Sequence, residues 1–413
     1  MILVREARDI ILNAIPILGS ERVDVLSALG RVLAENVVAQ HDVPPHNNSA
    51  MDGYAVRAED VQTAALDHPV ELVVIEDLPA GRVSQQPVRT GQAIRIMTGA
   101  PVPDGANSIV RVEDTQPIGK KIVRIFAAVP PHYDVRLAGE DIRLGQTVLQ
   151  RGTVLRAADI GVLASIGRSS VNVYQRAQVA ILSTGDELVH LDEPLSPGKI
   201  YNSNSYSLAA LVRETGAVPI QLGIARDTRE ELEAAFAAGV RADAMISSGG
   251  VSVGDYDLVK EILNQQGSQM QFWKVCMKPG KPQAFGTIQG TPTFGLPGNP
   301  VSSMVSYEMF VRPALLKMMG HTRIYRRVVT ATLQEDLRKR DERKHFVRVV
   351  LTESGQGYQA STTGAQGSGI LMSMSHANGL AVIDEERMEV LAGEPVPVML
   401  LDDTLSLSAI RDF

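Results

Sequence analysis

The spacing of apolar and polar positions changes character several times along the chain. The opening stretch "MILVREARDIILNAIPIL" repeats apolar residues at helical spacing with Arg5, Glu6, Arg8 and Asp9 set among them, which predicts an amphipathic helix rather than a signal peptide. Helical pattern is expected to continue to about residue 40, with Ser20 as a cap candidate. It ends at "VPPHNNSAMDG", whose prolines and asparagines forbid further helix. Short apolar runs then take over: "VELVVIED", "AIRIMTGAPVP", "SIVRVEDT" and "KKIVRIFAAV" are separated by Gly, Pro and Asp and predict a small all-β module. Helical spacing returns in "TVLRAADIGVLASIG", with Thr153 as the expected N-cap and Gly167 as the C-cap. That helix is expected to pack back onto the N-terminal ones, which would make the first domain discontinuous.

Residues 177–320 alternate strand and helix patterns in a regular way. "AQVAILSTG", "VPIQLGIARD", "ADAMISSGG" and "TPTFGLPG" read as strands, and the stretches between and after them read as helices, including "DYDLVKEILNQQG". This predicts a doubly wound, mostly parallel sheet covered on both faces, with ligands bound beyond the carboxyl ends of its strands. Residues 321–413 return to β texture and predict a small barrel or sandwich. The expected domains are therefore 1–54 with 142–176, 55–141, 177–320 and 321–413.

Composition narrows the function classes. The chain has 413 residues, 44% hydrophobic and 21% charged, as in ordinary globular proteins. Its mean hydropathy is +0.01, and no run of 18 apolar residues occurs. A membrane span is not expected, and the cytoplasm is the expected location. One cysteine, Cys276, permits neither an internal disulfide nor a cysteine-built zinc site. A formal net charge of −7 argues against a nucleic-acid binder, so any anionic ligand must be met by local Lys and Arg.

Several loops at expected strand ends carry candidate chemistry. "ISSGGVSVGDYD" sets Ser248, Gly249 and Gly250 after a strand, where glycines allow backbone N–H groups close to an anion, and ends on Asp257. Asp227 of "IARD" lies one strand away, so the two carboxylates are placed to share a magnesium ion through water and phosphate oxygens. A tight strand-to-helix turn and a solvated loop aspartate are the plain alternatives. "STGDEL" offers Thr184, Asp186 and Glu187, equally readable as capping. "WKVCMKPGKP" groups Lys274, Lys278 and Lys281 around a proline-bounded turn suited to an oxyanion, although exposed lysines on turns are common. "LPGNPVSS" supplies Pro297, Pro300 and Ser302 at a helix start, where unpaired N–H groups and the helix dipole favour anions. In the first half, Asp52, Thr98, Arg136 and Asp141 stand in loops, with an Asx-turn as the alternative for Asp52. His41 and His46 are too loosely spaced for a metal site, and no Ser/His/Asp triad emerges.

Taken together and in order, "NNSAMDGYAVR", "RIMTGAPVPDGA", "VRLAGEDI", "VAILSTGDELV", "ISSGGVSVGDYD", "MKPGKPQAFG", "FGLPGNPVSS" and "TTGAQGS" closely resemble the molybdopterin molybdenumtransferase family, which includes the E domain of gephyrin. The resemblance runs across nearly the whole chain. It implies a homodimer with a discontinuous elongated domain, a β module, a central doubly wound molybdopterin-binding domain and a C-terminal β-barrel-like domain. It further implies that adenylylated molybdopterin is hydrolysed to release AMP and that molybdate is inserted into the dithiolene. A molybdopterin adenylyltransferase would supply the substrate, and molybdoenzymes would receive the product.

Carried over residue by residue, the resemblance puts a magnesium ion on Asp227 and Asp257 with Glu187 adjoining. It puts molybdate on Lys278, Lys281, Ser302, Arg348 and Ser368, with Lys274 facing the terminal phosphate of the pterin. Asp52, Thr98, Arg136 and Asp141 would form a facing surface supplied by the second subunit, with Asp52 as proton handler or substrate contact. Where the family has an aromatic residue and then Asp before "NSAMDGYA", this chain has His46 and Asn47. The alternatives are an adenylyltransferase-like enzyme, which would be a small single domain, and a gephyrin-like scaffold. Tungstate is the alternative oxyanion.

Overall fold

The computed structural model describes residues 1–249, 269–355 and 357–402. The chain divides into two compact units, one made of Met1–Glu21, Gly30–Ala34 and Val173–Phe413, the other of Arg22–Leu29 and Glu35–Asn172. The helix α1 (Val4–Ala14) buries Val4, Ala7 and Ile11, a stripe at helical spacing, in the core of the first of these units. Burying the Val4 and Ile11 side chains stabilises by roughly 1.5–3 kcal/mol each. The first helix thus packs with the α/β part of the chain, which differs from the grouping expected from the sequence. Beyond it the helical pattern does not continue. Pro16 holds Ile15 extended (ψ 121°), Ser20 begins a short strand instead of capping a helix, and only a 3₁₀ turn forms at Leu26–Ala28.

In the second unit the short apolar runs form a six-stranded sheet from β1 (Gly53–Val56), β2 (Val70–Leu78), β3 (Gln92–Ile96), β4 (Ser108–Arg111), β5 (Thr115–Ile118) and β6 (Ile122–Ile125), in the order β4-β1-β3-β2-β6-β5. Period-two alternation sends Tyr54, Val56, Ala93 and Val110 to one core cluster and Ala55, Ile94, Ile96 and Ile109 to another, so both faces are covered. Helix α2 (Ala157–Ser165) starts later than the expected Thr153 cap: Arg156 is the N-cap, and the Asp159 carboxylate accepts its N–H at 2.8 Å. Gly167 ends this helix with φ 72°, as expected.

The first unit contains a second six-stranded sheet. Its parallel strands are β7 (Gln178–Thr184), β8 (Val218–Ala225), β9 (Ala244–Ser248) and β12 (Thr291–Leu296). Two antiparallel strands, β10 (Gln269–Lys274) and β11 (Pro282–Ile288), complete the order β8-β7-β9-β12-β11-β10. Helices α3 (Ser203–Glu214) and α4 (Arg229–Gly239) alternate with the parallel strands. Val179 and Ile181 face one core cluster, Ala180 and Leu182 the other, which is why β7 reads as an unbroken apolar run. The antiparallel pair was not legible in the sequence. It turns the Lys274–Lys281 stretch into the connection between edge strand β10 and its neighbour β11. After β12, helix α5 (Pro300–Ser306), a π turn at Tyr307–Val311 and helix α6 (Arg312–Met318) form one continuous helical run.

In the same unit, β13 (Val328–Leu333), β14 (Lys344–Ser354), β15 (Gly357–Thr362), β16 (Gly379–Ile383) and β17 (Pro395–Leu400) close a five-stranded barrel in the order β14-β15-β13-β17-β16, with β16 pairing back to β14. Alternate residues Val347, Val349 and Leu351 fill its interior, while Phe346 joins the core of the α/β sheet. A short helix, α7 (Leu371–His376), precedes β16. Among the described residues, no helix is long and apolar enough to cross a membrane.

Candidate active site

A cavity of about 260 Å³ opens at the carboxyl ends of β7 and β9, where doubly wound sheets bind ligands. Register places Ser183 of β7 beside Ser248 of β9, and Ser248 beside Leu296 of β12. Thr184, Ser248, Gly249 and Pro300 line the cavity, as the sequence suggested, and Glu187 stands at its edge. Pro297 is buried just after β12. The backbone comes very close here: a Cβ at Gly249 would stand 2.5 Å from the Thr184 carbonyl oxygen, and Gly249 has φ 93°. Thr184 Oγ1 is buried without a hydrogen-bond partner among the described residues. A buried hydroxyl left unpaired is costly, and Thr184 lines the cavity, which fits the binding of a polar group there.

Two asparagines that the sequence reading passed over build this cavity. Asn202 caps α3 by accepting from Ser205 N at 3.2 Å, and it also accepts from Ser183 Oγ at 2.9 Å. Asn204 donates to Ser248 Oγ at 2.8 Å and to the Gly298 carbonyl at 2.7 Å. The signal was present in "IYNSNSYS", since asparagine and serine before an apolar periodic run mark a helix start that faces a strand end.

The loops after β7 and β8 approach each other at the rim. Asp227 N lies 3.5 Å from Asp186 Oδ1, the Asp186 carbonyl accepts from Lys199 Nζ, and Glu187 is exposed. Gly250 and Asp257, together with the expected helix after them, lie outside the described residues. Among the described residues, no group of three His, Cys, Asp or Glu side chains gathers as a metal set.

The cationic stretch follows β10. Register sets Lys274 opposite Pro282, Val275 N donates to the Lys281 carbonyl at 3.1 Å, and Lys278 pairs in parallel with His345 of the barrel. Lys274, Lys278 and Lys281 are all exposed. Beneath Lys278, His345 meets Asp341 at 3.1 Å, and burial holds its imidazole below the ordinary value. Ser302 is buried in the first turn of α5. Ser368 reaches that turn through its backbone, its carbonyl accepting from Val301 N at 3.1 Å.

Arg348 is buried at the base of the loop that carries Ser368. It is 1% exposed, and two of its guanidinium nitrogens bond within the protein: Nε donates to Ser373 Oγ at 3.0 Å, and Nη2 donates to the carbonyls of Gly367 (3.0 Å) and Ala365 (3.4 Å). Arg348 N donates to Gln366 Oε1, and Gln366 Nε2 donates back to the Arg348 carbonyl. Arg348 therefore anchors the loop that carries Ser368 and the cavity-lining Gly369.

In the second unit, Asp52 Oδ1 accepts from both Thr98 N and Thr98 Oγ1 at 2.7 Å. These bonds, with Arg95 nearby, hold the exposed carboxyl below the ordinary carboxylate value. Arg136 pairs with Asn48 in a two-residue strand, and Ser49 is tied to Gly99 and Ala100 through the backbone. Asn47 accepts from Ala138 N at 2.8 Å, pinning the turn between Arg136 and Asp141. Asp52, Thr98, Arg136 and Asp141 thus share one cluster of three interlaced segments, all exposed. Asn47 supplies a fixed acceptor there.

Comparison with known proteins covers the same ground. Residues 2–167 match the family described as MoeA N-terminal region (domain I and II), 180–317 the probable molybdopterin binding domain, and 330–401 the MoeA C-terminal region (domain IV). The chain is similar to "Molybdopterin molybdenumtransferase 2" of Mycobacterium tuberculosis, 42% identical over 385 residues, 91% of this chain and 94% of that one. It is 39% identical over 408 residues to "Molybdopterin molybdenumtransferase" of Nostoc sp., covering 96% of this chain and 93% of that one. A crystal structure of a molybdopterin biosynthesis MoeA protein from Pyrococcus horikoshii superposes with a TM-score of 0.85 at 31% identity, over 97% of this chain and 99% of that one.

Proposed function

The chain belongs to the molybdopterin molybdenumtransferase family, transferases of molybdenum cofactor biosynthesis, and on that premise we propose that it hydrolyses adenylylated molybdopterin and inserts molybdate into the dithiolene. The match to the N-terminal and C-terminal regions as well as the central domain speaks against the single-domain adenylyltransferase alternative. The observation that carries the reading is the Thr184 hydroxyl, without a partner among the described residues, beside the side-chain-free backbone of Gly249 at the carboxyl end of the sheet. A phosphoanhydride fits there: its oxygens accept from the hydroxyl, and the absence of a Cβ is what lets the Gly249 backbone lie against the end of the neighbouring strand.

In this reading water attacks one phosphorus of the anhydride, the bond to the bridging oxygen breaks, and AMP leaves with the released proton going to solvent. Molybdate then exchanges one oxo group, lost as water with the two thiol protons, for two sulfur ligands. Asn202 and Asn204 hold the strand ends that orient the anhydride. Lys278 and Lys281 attract the molybdate dianion, and Lys274 meets the pterin phosphate. The loop anchored by Arg348 keeps Gly369 against the cavity and excludes water.

Hard oxygen donors suit magnesium, which takes one or two carboxylates and completes its shell with water and substrate phosphates. Glu187 and Asp227, on the rim loops of adjacent strands, would hold it. When bound it would neutralise charge on the phosphates. The exposed Asp52–Thr98–Arg136–Asp141 cluster fits a surface offered to substrate by a second copy in a homodimer.

The experiment gives the purified protein adenylylated molybdopterin, Mg²⁺ and micromolar molybdate and follows AMP release together with reconstitution of an apo-molybdoenzyme. Molybdate-dependent AMP release with reconstitution supports the reading. A folded protein that binds the nucleotide and yields neither refutes it.

A further inference from the structure

The first unit holds a second polar cavity that this reaction leaves unused. We propose that it binds the phosphoryl group of a small metabolite through Arg31, Arg176, Arg312 and Arg323. Its volume is about 310 Å³, enough for a phosphate with a small organic group. It lies at the opposite end of the sheet from the active-site cavity, because Arg176 precedes β7 and Gly216 precedes β8. The seven residues of β7 put the two sites roughly 20 Å apart.

In a chain of net charge −7, four guanidinium groups meet at this cavity; Arg31 and Arg312 have carboxylate neighbours behind the lining, Glu21 and Glu308, and Glu214 is the carboxylate on the lining itself. Helices α3 and α6 end at the cavity, and their C-terminal partial charges of about −0.5 each offset only about one of these cations. Two arginines are preorganised. Arg31 Nη2 bonds Glu21 at 2.5 Å and the Tyr174 carbonyl at 2.6 Å, and Arg312 reaches the Ile324 carbonyl at 3.4 Å, with Glu308, itself held by Arg326, at 3.9 Å. Arg176 and Arg323 are exposed and form no ion pair among the described residues. Their planar forks suit phosphate oxygens in pairs.

The wall is closely built. A Cβ at Gly320 would stand 2.3 Å from Tyr174 Cδ2, so only glycine lets that ring close the side of the cavity. His321, also on the lining, is held below its ordinary pKa by burial and then by Arg312, and a bound dianion would reverse that direction.

The test uses the intact protein with inorganic phosphate, pyrophosphate and AMP, followed by calorimetry and by NMR of the His321 imidazole. Saturable binding with a rise in the His321 pKa is expected. The Arg176→Ala/Arg323→Ala double variant should weaken it by about tenfold or more, and Arg176→Lys/Arg323→Lys should restore only part of it. Asn204→Ala, at the other cavity, should leave the His321 response intact, which separates this site from the proposed reaction. Tighter binding of AMP than of phosphate would assign the phosphoryl group to a nucleotide, and equal binding would assign it to the free ion. Unchanged affinity in the double alanine variant, or no His321 response to any of the three anions, would overturn the proposal.

Discussion

Asn204 Nδ2 stands 2.8 Å from Ser248 Oγ and 2.7 Å from the Gly298 carbonyl, so one amide ties the head of α3 to the loops that follow β9 and β12. Removing it in Asn204→Ala deletes two hydrogen bonds at a half-buried site, worth about 1–2 kcal/mol of stability. The loops would also lose their common spacer. Urea denaturation should show the stability loss, and steady-state kinetics should show a raised KM with a smaller fall in kcat. An unchanged KM would mean that the two loops keep their spacing by other contacts.

Gly249→Ala is expected to be more severe. The added carbon would meet the Thr184 carbonyl at 2.5 Å, and φ of 93° is strained for any L side chain. About 1–3 kcal/mol of strain follows, or the strand end that lines the cavity shifts away from Thr184. Nucleotide binding by calorimetry should fall below detection while circular dichroism retains the fold. Retained binding would place the phosphates elsewhere.

Much of this arrangement was legible in the chain. The parallel strands of the α/β sheet announce themselves because burial on both faces gives unbroken apolar runs such as "VAILST", and ligand loops must then sit at their carboxyl ends. The β10–β11 hairpin was hidden, since "QFWKVCMKPGKPQAFG" mixes strand residues with a lysine-rich turn whose charges dominate the pattern. The anchoring by Arg348 was hidden for a related reason. An arginine within "HFVRVV" looks like a cation offered to an anion, and only the fold reveals that barrel strand β14 turns it to the face opposite Val347 and Val349, where it meets Gly367, Ala365 and Ser373. The fusion of α1 with the α/β unit depends on contacts across some three hundred residues, including Lys317 Nζ with the Leu12 carbonyl, which local spacing does not encode.

Because Arg348 acts through the loop it holds, its variants should separate loop order from charge. Arg348→Met leaves the Gly367 and Ala365 carbonyls and the Ser373 hydroxyl without their buried donor, costing about 1–3 kcal/mol for each group left unsatisfied. Arg348→Lys keeps the positive charge but cannot reach three acceptors in a fixed fork. Both variants should lower the melting temperature and speed amide exchange over residues 364–369, with the lysine variant only partly rescued. If Arg348→Lys restored full molybdate affinity and loop protection, charge and not anchoring would be the residue's contribution.

The bond pair from Thr98 to Asp52 decides between the two roles open to that carboxylate. The Thr98 N–H contributes most to lowering its pKa from the ordinary 3.8, the Thr98 hydroxyl next, and Arg95 adds a smaller effect. A depressed folded-state pKa gives stability that is present above the unfolded value near 3.8 and is lost as pH falls through the lowered one. Thr98→Val keeps the N–H and deletes the hydroxyl, so the carboxyl pKa should move part of the way back toward 3.8, and acid unfolding should begin at higher pH than in the wild type. Carbonyl-carbon NMR titration and an acid-unfolding curve measure the two effects. Near neutral pH Asp52 stays ionised in both proteins, and a carboxyl titrating this low is poorly matched to accept a proton at pH 7. Asp52 should therefore act as a fixed negative contact that orients substrate. Asp52→Asn should then lower kcat/KM by about the same factor at every pH from 6 to 9, whereas a loss that grows or shrinks with pH would return Asp52 to the role of proton handler.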